Sequence, residues 1–332
     1  MSLPRVGIVS ATGTGRKRTI PALMASTVCK VTAVHGRNKE KIADLARQFN
    51  IPHTYTDLSE MIADAKFDVA VVCSPPFLHL EQVTALVNAG VPTLSEKPLA
   101  LDEKNAKQLK AAAQARSVLV LVAHHLRHQN TYAEIKAAVT AGEIGEVKSA
   151  FFEWSFAMNR STSSAEWKLD PERNGPTTLS DAGIHCIDIA VGLFGAGVVQ
   201  GVSSATREAG GTFESCDALV LHNGVQVVIR ASRLYGPHSN QLLISGTKGE
   251  ISAPLFFTER SAEQVKITVG DRDRLIERAL TNPYQLEVED FVQAATEPGF
   301  ISCGTTLDES IDASRILDEV ASILRNKART SI

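Results

Sequence analysis

Short apolar runs alternate with amphipathic helical patterns along the first 125 residues. Each run has the length of a buried strand, and the segment after it has apolar residues at helical spacing. The predicted strands are Arg5–Val9, Lys30–Gly36, Asp68–Ser74, Val91–Pro98 and Val118–His125. The predicted helices are Arg16–Ser26, which Pro21 is expected to kink or delay, Asn38–Asn50, His79–Gly90 and Asp102–Ser117. Strands that alternate with helices of this length predict βαβ units, with helices on both faces of a parallel sheet.

The pattern changes after about Arg127. A longer strand at Glu146–Phe156 is followed by two hairpins, Asp217–Ser232 around Asn223-Gly224, and Asn240–Ala253. Few helices separate these strands. The segment therefore predicts a mostly antiparallel sheet, with one face covered by helices or by a partner subunit.

Together these patterns predict an α/β protein of two domains. A doubly wound parallel sheet occupies residues 1–123, and an α+β domain with a large, mostly antiparallel sheet occupies residues 124–332. A C-terminal helix at 307–326 could pack back on the first domain. The cleft between two such domains is the expected ligand site. Because an uncovered apolar sheet face is an aggregation hazard, we expect a homo-oligomer, a dimer or tetramer, formed through the second sheet.

Composition excludes several classes of function. The 332 residues carry a formal net charge of −3, which argues against a partner that is nucleic acid or an anionic membrane. The longest purely apolar run, Val118–Ala123, is far shorter than the roughly 20 residues needed to span a bilayer. No C-x-x-C pair occurs, so the cysteines predict buried, inert thiols in a reducing compartment and no zinc site. These cysteines are Cys29, Cys73, Cys186, Cys216 and Cys303. We expect a cytoplasmic protein.

The turn after the first strand lies where a dinucleotide-binding loop would lie but lacks two of its glycines. In a Rossmann fold this turn carries G-x-G-x-x-G, and the glycine positions here hold Ser10, Thr12 and Gly15. Ser10 is expected to adopt a left-handed conformation at a cost of about 1–2 kcal/mol. Thr12 places a β-branched side chain where backbone and phosphate come closest, although Gly13 keeps flexibility next to it. We expect a bound cofactor with a shifted pyrophosphate or modestly weaker affinity.

Basic residues near this turn favour NADP over NAD. The residue that selects NAD is a carboxylate roughly 20 positions after the glycine loop, and that slot holds Gly36, followed by Arg37. Arg37 could pair with a 2′-phosphate, and Lys39 and Lys41 could add to the field. The run from Arg16 to Arg18 could attract the pyrophosphate at the helix N-terminus.

Three further segments resemble a known family. These are LSEKPLA from Leu94, SPPFLHLEQV from Ser74 and LSDAGIHCIDIAVGLFG from Leu179. With the opening strand and turn, they resemble the glucose-fructose oxidoreductase, inositol dehydrogenase and rhizopine-catabolism family, in order and spacing over nearly the whole chain. The resemblance implies an NAD(P)-dependent oxidoreductase that acts on a secondary alcohol or ketone of a sugar, inositol or related polyol. It also implies a catalytic triad of Lys97, Asp181 and His185.

The chemistry supports these roles without the family. Oxidising a secondary alcohol removes a hydride from carbon and a proton from oxygen, so a base and a cation are needed beside the hydroxyl. Lys97 follows a parallel strand at the edge where ligands bind. Asp181 and His185 are four residues apart, on one face if the segment is helical. We expect His185 to exchange the proton with Lys97 as electrostatic partner, the alternative being a capping aspartate beside a core histidine.

The resemblance also assigns binding residues. The cofactor is expected to contact Ser10, Thr12, Gly13, Thr14, Gly15, Arg37, Ser74, Pro75, His79, Glu96 and Lys97. The substrate is expected to contact Arg127, Trp167, Lys168, Tyr235 and His238. For the last four, the alternatives are a loop packed by its tryptophan and a turn at a strand end. His124, His125 and His128 crowd one segment without a second cluster of ligands, so no metal site is predicted.

Two other functions stay open. One is a hydrolase or lyase that oxidises a sugar transiently, eliminates a group and reduces the product, so that no cofactor is consumed overall. The other is a non-catalytic NAD(P)-sensing regulator, which the altered turn allows and which the intact triad of Lys97, Asp181 and His185 disfavours.

Overall fold

A computed structural model describes residues 2–13, 15–161, 165–175, 177–207, 212–236, 240–258 and 264–330. Two predicted site residues, Thr14 and His238, lie outside these ranges. The chain forms two compact units. The first comprises 1–100, 104–125 and 284–308, and the second comprises 101–103, 126–283 and 309–332. The domain boundary at 123 stays a prediction.

Fourteen strands lie in the described part of the chain. They are β1 Arg5–Val9, β2 Lys30–His35, β3 His53–Tyr55, β4 Val69–Val72, β5 Thr93–Glu96, β6 Val120–Ala123, β7 Val147–Ser155, β8 Gly197–Arg207, β9 Phe213–His222, β10 Val225–Ser232, β11 Leu242–Gly246, β12 Gly249–Ala253, β13 Gln264–Val269 and β14 Arg272–Glu277. The α-helices described are α1 Ile20–Ala25, α2 Lys39–Phe49, α3 Leu58–Asp64, α4 His79–Asn88, α5 Glu103–Arg116, α6 Asn130–Thr140, α7 Ala165–Lys168, α8 Pro171–Asn174, α9 Gly183–Phe194, α10 Pro283–Thr296 and α11 Leu307–Thr330.

The first unit contains the predicted doubly wound sheet. Its six strands are parallel, in the order β3-β2-β1-β4-β5-β6. The strand order reverses between β1 and β4, and ligands of such sheets bind at this switch point, beyond the carboxyl ends of the strands. Strand β3 is three residues long with no buried position, so no hydrophobic pattern marked it in the sequence.

The second unit is built on the predicted large sheet. Its order is β14-β13-β12-β11-β7-β10-β9-β8, antiparallel at every pairing except β7 with β10. Asn223 and Gly224, with φ of 46° and 89°, form the tight turn between β9 and β10. The inner face of the sheet packs against α9, and α11 buries Ile316 and Val320 in the same core. The fold class predicted from the sequence is therefore confirmed.

Four of the five cysteines are buried in the structure. Cys29, Cys73, Cys186 and Cys216 are buried, and burial raises the pKa of the Cys73 thiol to about 12. Cys303 is exposed, so the expectation of five buried thiols was wrong at that position, which lies in a loop without regular structure. Among the described helices, none combines the length and the apolar character that a membrane crossing requires.

Candidate functional site

The first βα turn has the backbone of a dinucleotide-binding loop in spite of its altered sequence. Ser10 has a φ of 59°, the left-handed conformation expected at the first glycine position. Its backbone N–H donates to Nδ1 of His35 at 3.3 Å, and its hydroxyl accepts from Gln82 at 3.4 Å. Thr12 and Gly13 are exposed at the carboxyl end of β1. The backbone of this turn is thus open to a ligand.

The helix after the turn begins late, as Pro21 predicted. A wide π-helical turn covers Gly15–Thr19, and the α-helix starts at Ile20 with Pro21 in its first turn. A Cβ on Gly15 would lie 3.2 Å from Sγ of Cys73, so glycine allows the start of the helix to pack closely on the sheet.

Two cations of the basic run have partners within the protein. Arg16 donates to the Gln48 side chain at 2.6 Å, and the guanidinium of Arg18 lies 6.0 Å from the centre of the Tyr284 ring. Lys17 between them is exposed. An electrostatic contribution of the run to pyrophosphate binding stays a prediction.

The residues at this edge of the sheet fit a dinucleotide. The Ser74 hydroxyl, just after β4, is buried and has no hydrogen-bond partner among the described residues. A Cβ at Gly13 would meet nothing within 4 Å, so space remains beside the exposed turn. An unpaired buried hydroxyl and an open glycine turn, on the two strands of the switch point, are what a pyrophosphate-bearing ligand would satisfy.

The position that selects NAD in this fold has little room for a side chain. A Cβ on Gly36 would lie 3.3 Å from Cδ1 of Ile42 and 3.4 Å from Cγ2 of Thr12. The next residue, Arg37, is exposed at the end of β2. The structure thus presents a cation and no carboxylate at this point.

The buried side chain of His79 links the segment that follows β4 to the segment that follows β5. Its ring nitrogens lie 2.8 Å from the carbonyl oxygen of Ser74 and 2.9 Å from that of Pro98, across the cis Lys97–Pro98 bond. Burial lowers the pKa of this imidazole. These contacts hold the chain at Ser74 and at Pro98, the residue after Lys97. The contact of His79 with the cofactor stays a prediction. Lys97 itself is half-buried, and its backbone N–H donates to the Glu96 carboxylate at 3.2 Å.

Asp181 is positioned by a turn rather than by a helix. It directly follows a 3₁₀ turn at Thr178–Ser180, and α9 begins two residues later with Ala182 as its N-cap and no side-chain cap. Asp181 thus lies one residue before the N-cap position of α9, and its catalytic role stays a prediction. Both carboxylate oxygens accept from Nζ of Lys168, at 3.1 and 3.2 Å. The side chain of Asp181 is 10% exposed.

His185 lies in the first turn of α9 and is buried. Its ring stacks on the indole of Trp154 from β7, with centroids 4.5 Å apart and an interplanar angle of 29°. A stacked ring is held in one plane, which suits a group that must present a nitrogen to a substrate. Trp154 was not singled out in the sequence, where its place in a strand was typical of a core residue.

The sequence analysis also did not identify Arg233, which lies beside Asp181. Arg233 directly follows β10, and its side chain is fully buried, with Nη2 at 3.8 Å from Oδ2 of Asp181. None of its three side-chain nitrogens makes a hydrogen bond to a described residue. Burial lowers its pKa, and Asp181 and Glu214 oppose this only in part. A lone arginine after an apolar strand gives no signal in a sequence.

The remaining predicted substrate residues have varied surroundings. Arg127 is buried between Asp188, at 2.8 Å, and Glu309, at 2.6 Å. Burial by itself would lower the pKa of Arg127, but the two carboxylates raise it above its ordinary value. Tyr235 is exposed, and its hydroxyl lies 3.3 Å from the Glu153 carboxylate. The Trp167 ring lies 5.7 Å from the Lys168 ammonium. The roles of Arg127, Trp167 and Tyr235 in substrate binding stay predictions.

Comparison with known proteins identifies the family. Residues 4–124 match the oxidoreductase family with an NAD-binding Rossmann fold known as GFO/IDH/MocA, and residues 132–252 match its C-terminal domain. The chain belongs to this family. The expected NAD(P)-dependent oxidoreductase with a Rossmann fold is thereby confirmed at the level of the family.

The similarity to individual members of the family is low in sequence but extends over most of the chain. The chain is 26% identical over 294 residues to a scyllo-inositol 2-dehydrogenase (NADP(+)), IolU, of Bacillus subtilis, covering 87% of this chain and 88% of the relative. It is 24% identical to D-xylose 1-dehydrogenase (NADP(+)) 2 of Haloferax volcanii, covering 95% of both. The 3-ketoreductase KijD10 of Actinomadura kijaniata, solved with NADP and TDP-benzene, superposes with a TM-score of 0.85 at 20% identity, covering 97% and 98% of the two chains. This last likeness shows the fold.

Proposed function

We propose that this protein is an NADP(H)-dependent dehydrogenase or reductase that acts on a secondary alcohol or ketone of a sugar, inositol or related polyol. The observation that carries the proposal is the placement of Asp181, in the turn before α9, and of His185, in the first turn of α9. Both are buried, the carboxylate is held by Lys168 and the imidazole is stacked on Trp154. In a chain of this oxidoreductase family, such a pair supplies the proton chemistry that alcohol oxidation needs.

Each residue has a separate part in the reaction. Bound NADP⁺ supplies the hydride acceptor when the alcohol is oxidised. His185 takes the proton of the substrate hydroxyl, and it returns a proton in the reverse direction. Asp181 accepts a hydrogen bond from the hydroxyl or orients the imidazole. The Lys97 ammonium stabilises the negative charge that develops on the substrate oxygen.

NADP rather than NAD is the proposed cofactor. The selecting slot holds Gly36, where a side chain has little room, and the exposed Arg37 next to it can pair with a 2′-phosphate in bidentate fashion. The scyllo-inositol and D-xylose dehydrogenases among the relatives are also named as NADP(+) enzymes. NAD is the second candidate.

The substrate class follows the relatives, whose names include inositol and xylose dehydrogenases. The indole of Trp167 offers an apolar face for a sugar ring, and Lys168 offers a donor for its hydroxyl groups. Homo-oligomerisation through the outer face of the second sheet and a cytoplasmic location complete the proposal.

The direct test is turnover with a panel of polyols, aldoses and inositols, read as net formation of NADPH and then of NADH. We expect NADPH with at least one substrate. Asp181→Asn and His185→Asn should each lower kcat by about 10²–10⁴-fold. Asp217→Asn, which removes a carboxylate paired with Arg230 on β10, is the matched control and should retain activity.

Other results would assign the chain differently. Cleavage of a glycoside without net change in NADPH would indicate a redox-assisted hydrolase or lyase. Tight binding of cofactor without either kind of turnover would indicate a regulator. A clear preference for NAD in fluorescence titrations would overturn the cofactor assignment.

A further inference from the structure

The charged groups around Asp181 are unequal in number. Three cations, Lys168, Arg160 and Arg233, accompany two carboxylates, Asp181 and Glu214. Lys168 is hydrogen-bonded to Asp181, and Arg160 is paired with Glu214. Each carboxylate therefore has a directly bonded cation already, and Arg233 is the additional charge.

Arg233 acts on Asp181 through charge without a hydrogen bond. The 3.8 Å between Nη2 of Arg233 and Oδ2 of Asp181 is too long for a hydrogen bond, while an opposite charge within about 4–6 Å still favours an ionised carboxylate. The backbone N–H of Arg233 donates to the carbonyl of Glu214 at 2.8 Å, which fixes the start of the side chain.

Lys168 is placed differently. Its side chain is 27% exposed, whereas that of Arg233 is 0% exposed. A partly exposed lysine on a four-residue helix can turn to a bound substrate, as the proposed function requires of Lys168. A fully buried guanidinium stays where it is.

A buried guanidinium without hydrogen bonds is destabilising, because it loses its hydration without gaining a full set of acceptors. An unsatisfied buried polar group in a native protein needs an explanation, and a part in the reaction is one such explanation. The nearest charged group to Arg233 with a proposed role in the reaction is Asp181.

We propose that Arg233 is a positioning residue that acts through Asp181: it keeps Asp181 a carboxylate when Lys168 turns to the substrate. The inference concerns the reaction step and so rests on the proposed function, but the charge state of Asp181 is measurable without turnover. Charged groups next to the pair include Lys168, Glu214 and Arg160. The titratable ring of His185 follows four residues after Asp181 in the chain.

The test is a carbon-13 NMR titration of protein labelled at the aspartate side-chain carboxyl. The Asp181 signal is the one that disappears in Asp181→Asn. In Arg233→Met its titration midpoint should lie about one pH unit higher than in the wild type, and in Arg233→Lys close to the wild type. Arg230→Met is the matched control, since Arg230 lies three residues away on β10 and pairs with Asp217. It should leave the midpoint unchanged.

Stability and kinetics give two further readouts. Because Asp181 keeps Lys168 and Glu214 keeps Arg160, Arg233→Met should not lower the melting temperature. The acid limb of the pH profile of kcat/KM should shift to higher pH together with the NMR midpoint.

An unmoved midpoint overturns the proposal. So does a failure of both Arg233→Met and Arg233→Gln to fold while Arg233→Lys folds, since the charge would then be structural. Absence of polyol turnover in the wild type, with the midpoint shift present, would count against the proposed function alone.

Discussion

At the residue scale, the side chain of Thr12 is the feature of the first βα turn that bears most directly on cofactor affinity. Its side chain is exposed at the turn where a pyrophosphate would approach, and its methyl group lies 3.4 Å from the point where a Cβ of residue 36 would be. We expect Thr12→Gly to tighten NADP binding several-fold, because the backbone could approach the phosphates more closely. Fluorescence titration of the cofactor measures this.

Thr12→Ser is the matched control, since it removes the methyl group and keeps the hydroxyl. An affinity like that of the wild type would show that the hydroxyl is the important group. If Thr12→Gly leaves the affinity unchanged, Thr12 has no part in cofactor binding.

Single residues also show where sequence reasoning succeeded. The missing glycine at Ser10 predicted a left-handed residue, because backbone geometry in this turn is local, and φ is 59°. The four-residue spacing of Asp181 and His185 suggested a shared helix, yet Asp181 lies in the preceding turn. Trp154 and Arg233 were missed because their nearness to this pair arises from β7 and β10, which are remote in sequence.

At the scale of elements, the outer face of the second sheet carries exposed apolar side chains. Val198 on β8 is paired with Leu221 on β9, and Leu219 lies two residues away on the same face. They are 53%, 37% and 37% exposed. Because such a patch favours association, Leu221→Glu should lower the oligomeric state measured by light scattering after gel filtration.

Ile301→Glu is the matched control for that variant. Ile301 is 91% exposed but belongs to a loop of the first unit, whereas this sheet belongs to the second unit. It should leave the mass unchanged. A wild-type protein that is monomeric at micromolar concentration would contradict the prediction.

At the scale of the whole molecule, buried histidines make stability depend on pH. Burial lowers the pKa of His35, His79 and His222 below the ordinary value of 6.5. Below about pH 6.5 the unfolded chain therefore binds protons that the folded chain does not, and stability falls as the pH falls. Each histidine contributes up to about 1.4 kcal/mol per pH unit.

Thermal melts between pH 7.5 and 5 measure this dependence. We expect a constant melting temperature above pH 7 and a decline from about pH 6.5 downward. His222→Gln should make the decline shallower, because one of the three groups is removed. A melting temperature that rises on acidification over this range would contradict the assignment.

The sequence by itself determined the elements and their type of sheet. Apolar periodicity and turn residues are local properties, so the parallel and antiparallel parts, the hairpin at Asn223-Gly224 and the late helix start at Pro21 could be predicted. The tertiary structure decided which side chains meet. Chain packing brings Asp181 to Lys168 and Arg233, His185 to Trp154, and Arg127 to Asp188. These residues are 13 to 61 positions apart in the chain, and no local pattern encodes such contacts.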